Sequence, residues 1–170
     1  MDATTVAVDL AKSVFQVVEA DAQGRILGSH RLTRTQFERF FGNRQTSQVV
    51  MEACGSAHHW ARSLGRQGIS VRLLPATHVK PYRLRNKTDA ADCGALLQAN
   101  NDPRIREVRV KSIEQQALQA LHRARSQWMA SRTQRINTLR GYCREFGVPI
   151  AVGAQTGLQA IHRQVADPRS

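Results

Sequence analysis

Along the first half of the chain, apolar residues come in short β-branched runs bounded by turn residues. Residues 4–10 (TTVAVDL), 14–20 (VFQVVEA) and 25–32 (RILGSHRL) read as three strands, with Asp21 to Gly24 supplying the second turn. Such tight connections predict an antiparallel meander. Thr33 then offers an N-cap for TRTQFERFFGN, in which Phe37, Phe40 and Phe41 share a helical face before Gly42 and Asn43 end it. Residues 47–53 (SQVVMEA) have the pattern of a buried strand. Ser56 opens a helix through Leu64 that stops at Gly68, and residues 70–74 (SVRLL) form a last strand halted by Pro75.

The predicted order is β-β-β-α-β-α-β, in which the later strands are separated by helices and are therefore parallel. This is the order of a ribonuclease H-like α/β fold, a mixed sheet with flanking helices. Residues 76–87 turn basic, lose periodicity and contain Pro81, which predicts a loop. Thr88 or Asp89 caps a helix that runs to about Asn100. After Asp102, Pro103 and the short segment IREVRV, Ser112 and Gln115 form a capping box for a long helix ending near Phe146, before Gly147 and Pro149. That helix would be on the order of 50 Å long. Its apolar seam, Leu118, Leu121, Trp128, Ile136, Leu139, Cys143 and Phe146, is interrupted by SRTQR. A broken seam predicts partial packing on the core or on a partner helix rather than a long two-stranded coiled coil. The expected organisation is an α/β domain over residues 1–110, a helical arm over 111–147 and a short helical tail over 148–170.

Composition narrows the partners. The 170 residues are 41% hydrophobic, enough for one core and one extension, and Lys plus Arg outnumber Asp plus Glu by 25 to 13, for a net charge of +12. Most of the cations are arginine, whose planar fork suits phosphate oxygens, so a polyanion is the expected partner. Cys54, Cys93 and Cys143 are odd in number and far apart, which argues against a disulfide framework or a zinc ribbon. No apolar run approaches the roughly 20 residues of a membrane span, and no signal peptide is visible, so the chain reads as cytoplasmic.

Against that basic background four acids stand out. Asp9 ends the first strand, Glu52 ends the fourth, and Asp89 and Asp92 lie three residues apart in KTDAAD, hence on one helical face. Singly, each has an ordinary explanation as a strand end, an exposed strand acid or a helix cap. Together, in an acid-poor chain, they fit shared divalent cations. Hard Mg²⁺ prefers oxygen ligands, and metal-dependent phosphodiester cleavage uses carboxylates to hold such ions. In an open sheet, ligands gather at the carboxyl ends of parallel strands. Lys80, Arg83, Arg85 and Lys87, with Tyr82 among them, precede the acidic pair and can hold phosphates, with Tyr82 available to stack on a base. The alternative is a flexible basic loop. Arg123, Arg125, Arg132, Arg135, Arg140 and Arg144 can follow a nucleic-acid backbone along the long helix, or simply form its solvated face. Cys54, His58 and His59 lack a fourth ligand for zinc, and Ser13 and Ser56 show no nucleophile-elbow pattern.

The segments VAVDLAKSVFQV, MEACGSAHHWAR, VRLLPATHVKPYRLRNKTDAADCGALLQA and VKSIEQQALQALHRAR closely resemble the N-terminal half of insertion sequence 110 family transposases, including the Piv/MooV-type relatives. The resemblance runs from about Val6 to about Gly147. It implies a RuvC-like DEDD domain whose four acids are Asp9, Glu52, Asp89 and Asp92. It further implies Mg²⁺-dependent DNA recombination, with Mn²⁺ as a surrogate ion, donor and target DNA as substrates, a structured guide RNA, and oligomer assembly through the long helix. Members of the family continue into a domain with a catalytic serine, whereas this sequence ends at Ser170, so an incomplete recombinase is expected. Cys93 stands where the family often has alanine. Two other readings are a non-catalytic nucleic-acid-binding and assembly module, and a RuvC-like Holliday-junction nuclease. An actin-like sugar kinase would need glycine-rich phosphate loops that this sequence lacks.

Overall fold

The computed structural model describes residues 5–42, 46, 48–83, 88–148, 150 and 152–166, apart from the side chains of Asp89, Ala154, Gln164 and Val165. The chain divides into two compact units, Met1–Ser112 and Ile113–Ser170.

The first unit is a five-stranded sheet with helices on both faces. Strands β1 (Thr5–Leu10), β2 (Val14–Ala20) and β3 (Ile26–Thr33) form the expected antiparallel meander. Strands β4 (Gln48–Glu52) and β5 (Ser70–Leu74) add in parallel on the other side of β1, giving the order β3-β2-β1-β4-β5. Alternation along each strand sorts the side chains between two cores. Val6, Val8, Phe15, Val17, Val49 and Met51 face helices α1 (Arg34–Phe40) and α2 (Ala57–Arg66), together with Phe37, Trp60 and Leu64. Ala7, Val18, Val50 and Leu74 face α4 (Asp89–Asn100), which supplies Cys93, Ala95, Leu96 and Ala99. The small residues of α4 let its backbone lie close on the sheet.

Local signals account for several boundaries. Thr33 caps α1 through a reciprocal box, its hydroxyl accepting from Gln36 N at 3.4 Å while its own N–H donates to Gln36 Oε1 at 2.8 Å. Phe37 is fully buried, edge-on to Phe15, Phe41 and Trp60 with ring centroids 5.0–5.3 Å apart. Ser56 opens α2 as expected: it stands at the N-cap position with its carbonyl accepting from His59 N and Trp60 N at 3.1 and 3.3 Å, although its side chain makes no cap. Gly68, at φ +81°, ends that helix as expected.

Residues 76–82 depart from the predicted loop. A short helix α3 (Ala76–Val79) runs into a 3-10 turn, Lys80–Tyr82. Pro75 is the extended N-cap of α3, Pro81 stands in the first turn of the 3-10 element, and Val79 is buried in the second core, so tertiary packing orders a segment too short to show periodicity. Beyond α4, Arg72 donates to Asn100 O, Asn100 Oδ1 and Ile105 O at 2.6, 2.9 and 2.7 Å, fixing the turn that follows. Val108 N then donates to Leu73 O at 2.7 Å, so the exit segment covers part of the outer side of β5.

The second unit holds α5 (Ile113–Glu145) and α6 (Ala154–Ala166). The long predicted helix is present, and none of its residues is buried. No helix among the described residues is long and apolar enough to cross a membrane.

Candidate metal centre and nucleic-acid surface

Strand register brings two of the four acids side by side. Val8 pairs with Met51 across the parallel β1–β4 ladder, so the next residues, Asp9 and Glu52, are neighbours at the carboxyl ends of the central strands. Parity fixes the face. Asp9 lies two residues beyond Ala7 and Glu52 two beyond Val50, and both of those alanine and valine side chains belong to the core under α4.

Helix α4 carries the other two acids to that end of the sheet. Thr88 is its N-cap, the hydroxyl accepting from Ala91 N at 3.2 Å, so the helix starts at Asp89 and Asp92 lies in its first turn. The thiol of buried Cys93 donates to Gln16 O at 3.4 Å, and Gln16 is the partner of Asp9 across β1–β2. The start of α4 is thereby held over the Asp9 end of the sheet. Asp89 lies one helical turn before Asp92; its side chain is outside the described residues.

Arg83 links two of the acids directly. Its Nη2 lies 2.6 Å from Glu52 Oε2 and its Nε 3.1 Å from Asp92 Oδ1. One guanidinium thus joins the end of β4 to the first turn of α4. Among the described residues, no group of three or more His, Cys, Asp or Glu side chains is placed to hold a metal ion. The donor set nonetheless fits a hard divalent cation: Glu52 and Asp92 already share one positive group, both are carboxylates, and both keep some exposure to water.

The basic residues divide. Lys80 is exposed at the start of the 3-10 turn, Arg83 follows it, and Arg85 and Lys87 lie outside the described residues. Tyr82 is committed to structure: its ring packs against the second core and its hydroxyl donates to Asp102 Oδ2 at 2.6 Å. Sequence reasoning gave Asp102 no role. Yet it also accepts from the Arg104 guanidinium at 2.8 and 3.0 Å, and the Arg104 and Tyr82 donors hold its carboxyl well below the usual range. The hydrogen bond to that carboxylate, helped by burial, pushes the Tyr82 phenol up. The spacing Asp102-Pro103-Arg104 was the only sequence signal for this clamp.

On α5, Arg123, Arg125, Arg132, Arg135 and Arg144 are exposed. At about 100° per residue, Arg125, Arg132 and Arg135 share roughly 80° of arc, whereas Arg123 faces nearly opposite. Arg140 is half-buried and reaches Ile150 O at 3.5 Å. The candidate stripe is therefore shorter than its composition implied. His58, set aside as a zinc ligand, is buried in α2, where its Nδ1 accepts from Lys111 N at 3.2 Å. Burial, with Lys111 and Arg62 nearby, holds its imidazole below the ordinary histidine value.

A mixed sheet in this order, with acids at the ends of its two central strands and on the helix above them, defines a ribonuclease H-like domain of the DEDD type. A family model described as a transposase, of the DEDD insertion sequence 110 type, matches residues 6–147, and the chain belongs to that family. It is 44% identical over 148 residues to a Pseudomonas aeruginosa protein named "Probable family 20 transposase", a match covering 87% of this chain and 44% of that protein. It is 39% identical over 154 residues to the "Transposase for insertion sequence element IS1111A" of Coxiella burnetii, covering 91% of this chain and 42% of that protein. The chain thus spans less than half the length of the curated relatives it matches.

Proposed function

We propose that this chain is the acidic half of a DNA recombinase, in which Asp9, Glu52, Asp89 and Asp92 hold Mg²⁺ for cutting and exchanging DNA strands during transposition. The observation that carries the reading is the convergence of Glu52 and Asp92 on one positive group, beside Asp9 at the carboxyl ends of two parallel strands. When bound, the ion activates an attacking oxygen and neutralises the leaving one. The chain's own part is positional. The β1–β4 ladder fixes Asp9 and Glu52 in register, and the Thr88 cap and the Cys93 thiol fix the first turn of α4 above them. A site built on strand ends and a capped helix leaves little freedom for the acids to drift.

Donor and target DNA are the proposed substrates and a structured guide RNA the proposed partner. Lys80, Arg83, Arg85 and Lys87, which precede the acidic pair in sequence, and Arg125, Arg132 and Arg135 on α5, are the proposed phosphate contacts. A second copy of the chain is the proposed cover for the apolar positions of α5. Trp128 there, and Phe146 just past its end, are 74% and 84% exposed, which favours an assembly role alongside the chemical one.

Calorimetric titration of Mn²⁺ into the chain tests the site, with Asp9→Ala and Asp92→Ala as controls. Saturable binding that disappears in both variants is expected. Absence of saturable binding with and without a DNA duplex would sink the metal reading. Duplex binding is expected to weaken steeply with salt, as phosphate contacts require.

A further inference from the structure

Arg83 stands in an unusual relation to the acids. It is the only described cation whose guanidinium pairs with two of them, and it does so from a connection rather than from the sheet or from α4. Its backbone is extended at φ −74° and ψ 122°, just past the 3-10 turn, and its N–H donates to Lys80 O at 3.2 Å. The residues that hold this part of the connection in place, Val79 and Tyr82, lie upstream and are packed in the second core. The side chain as a whole remains 35% exposed, so its departure leaves no cavity in the core.

Electrostatics makes its present position incompatible with a shared divalent cation. The hydrogen bond to Glu52 Oε2 and the ion pair with Asp92 Oδ1 occupy carboxylate oxygens that a metal would use. A guanidinium kept within hydrogen-bond reach of both carboxylates would also lie a few ångströms from the ion, where like charges repel strongly. Arg83 and the ion therefore compete for the same oxygens. Once displaced, the side chain remains beside the site on a basic segment, where the strongest available partner for a planar fork is a phosphate.

We propose that Arg83 is an exchangeable internal cation: it holds Glu52 and Asp92 together in the metal-free protein, and on metal loading it is released to grip a backbone phosphate of the nucleic acid. The inference rests on the metal reading above and adds a coupling to it. Arg83 is a positioning residue that makes metal and nucleic acid favour each other's binding. By linkage, each ligand strengthens the other by the same factor.

The test is Mn²⁺ titration of the wild-type chain, Arg83→Gln, Arg83→Lys and Asp92→Asn, followed by duplex DNA binding with and without Mn²⁺. Thermal melting first establishes that each variant is folded. Arg83→Gln is expected to bind Mn²⁺ about tenfold more tightly than wild type, the worth of one charge-assisted hydrogen bond no longer broken on loading. Arg83→Lys, which keeps the charge but cannot bridge both carboxylates with a planar fork, is expected to fall between them. Wild-type binding to DNA is expected to strengthen several-fold on adding Mn²⁺, and Arg83→Gln is expected to lose that gain. Equal or weaker Mn²⁺ binding by Arg83→Gln, with binding still lost in Asp92→Asn, would overturn the exchange and leave the metal site standing. No Mn²⁺ binding by any of the proteins, with or without DNA, would overturn the metal site and the exchange with it.

Discussion

The two units of this chain use apolar residues in opposite ways. In the α/β unit, Val6, Val8, Val49, Val50 and Met51 of the two central strands have no exposure at all, and each face of the sheet is sealed by its own helices. In the helical unit, α5 runs for 33 residues without burying one, and Leu118, Leu121, Trp128 and Phe146 stand in the open. A long helix draws most of its stability from packing of an apolar face. The α/β unit thus carries its own stability within the chain, whereas the apolar surface of α5 is available for another molecule to cover.

The sharpest way to break the contrast is to remove the same kind of side chain from each unit. Phe37→Ala is expected to cost about 3–5 kcal/mol, because the Phe15, Phe41 and Trp60 rings lose their shared neighbour in a core that cannot close over the gap. Urea denaturation would measure it, and a loss below about 1 kcal/mol would show that the aromatic cluster is not rigidly packed. Arg72→Ala comes next, at about 2–3 kcal/mol, since Asn100 O, Asn100 Oδ1 and Ile105 O lose a charged donor together.

A smaller effect follows from His58. Its imidazole is buried with Nδ1 accepting a hydrogen bond, and its folded value lies below the ordinary one, so the unfolded chain binds the proton more readily. Stability is therefore full above about pH 6.5 and falls as the pH drops below it. A shallow decline in melting temperature from pH 7 to pH 5 is expected, and His58→Gln should flatten it. A decline of unchanged slope in that variant would assign the effect elsewhere. The smallest change in stability is expected on α5. Trp128→Ala should alter unfolding by no more than about 0.5 kcal/mol, as exposed positions do. The same substitution should weaken any self-association seen by sedimentation, and an unchanged sedimentation profile of an associating chain would remove Trp128 from the contact.

Most of the sheet was legible because alternation and turn residues act locally. Thr33 and Thr88 announced their helices, and the four acids stood out because the rest of the chain is so basic. What stayed hidden depends on contacts between distant residues. Nothing near Arg83 in sequence indicates that it meets Glu52, 31 residues earlier, or that Tyr82 turns inward to Asp102 rather than outward to a base. Ser56 marks the start of α2 as its residue type suggests, yet it does so through its backbone carbonyl and not through its hydroxyl, which residue type alone does not reveal. Val79 shows how a few residues with no periodicity of their own become helical once one of them is needed in a core.

The exit segment that lies along β5 has a consequence for how the sheet meets other chains. An uncovered outer strand offers a ladder of backbone groups to any extended peptide, and proteins commonly obstruct such rims. Here the Val108 amide takes up Leu73 O, and Val108 and Val110 lean on the neighbouring core, so one rim is obstructed by the same stretch that leads into α5. The opposite rim, β3, has no such cover among the described residues and presents Ile26 and Leu27 to solvent. Sheet extension by a foreign strand is thereby directed to β3, away from the stretch that joins the α/β unit to its long helix.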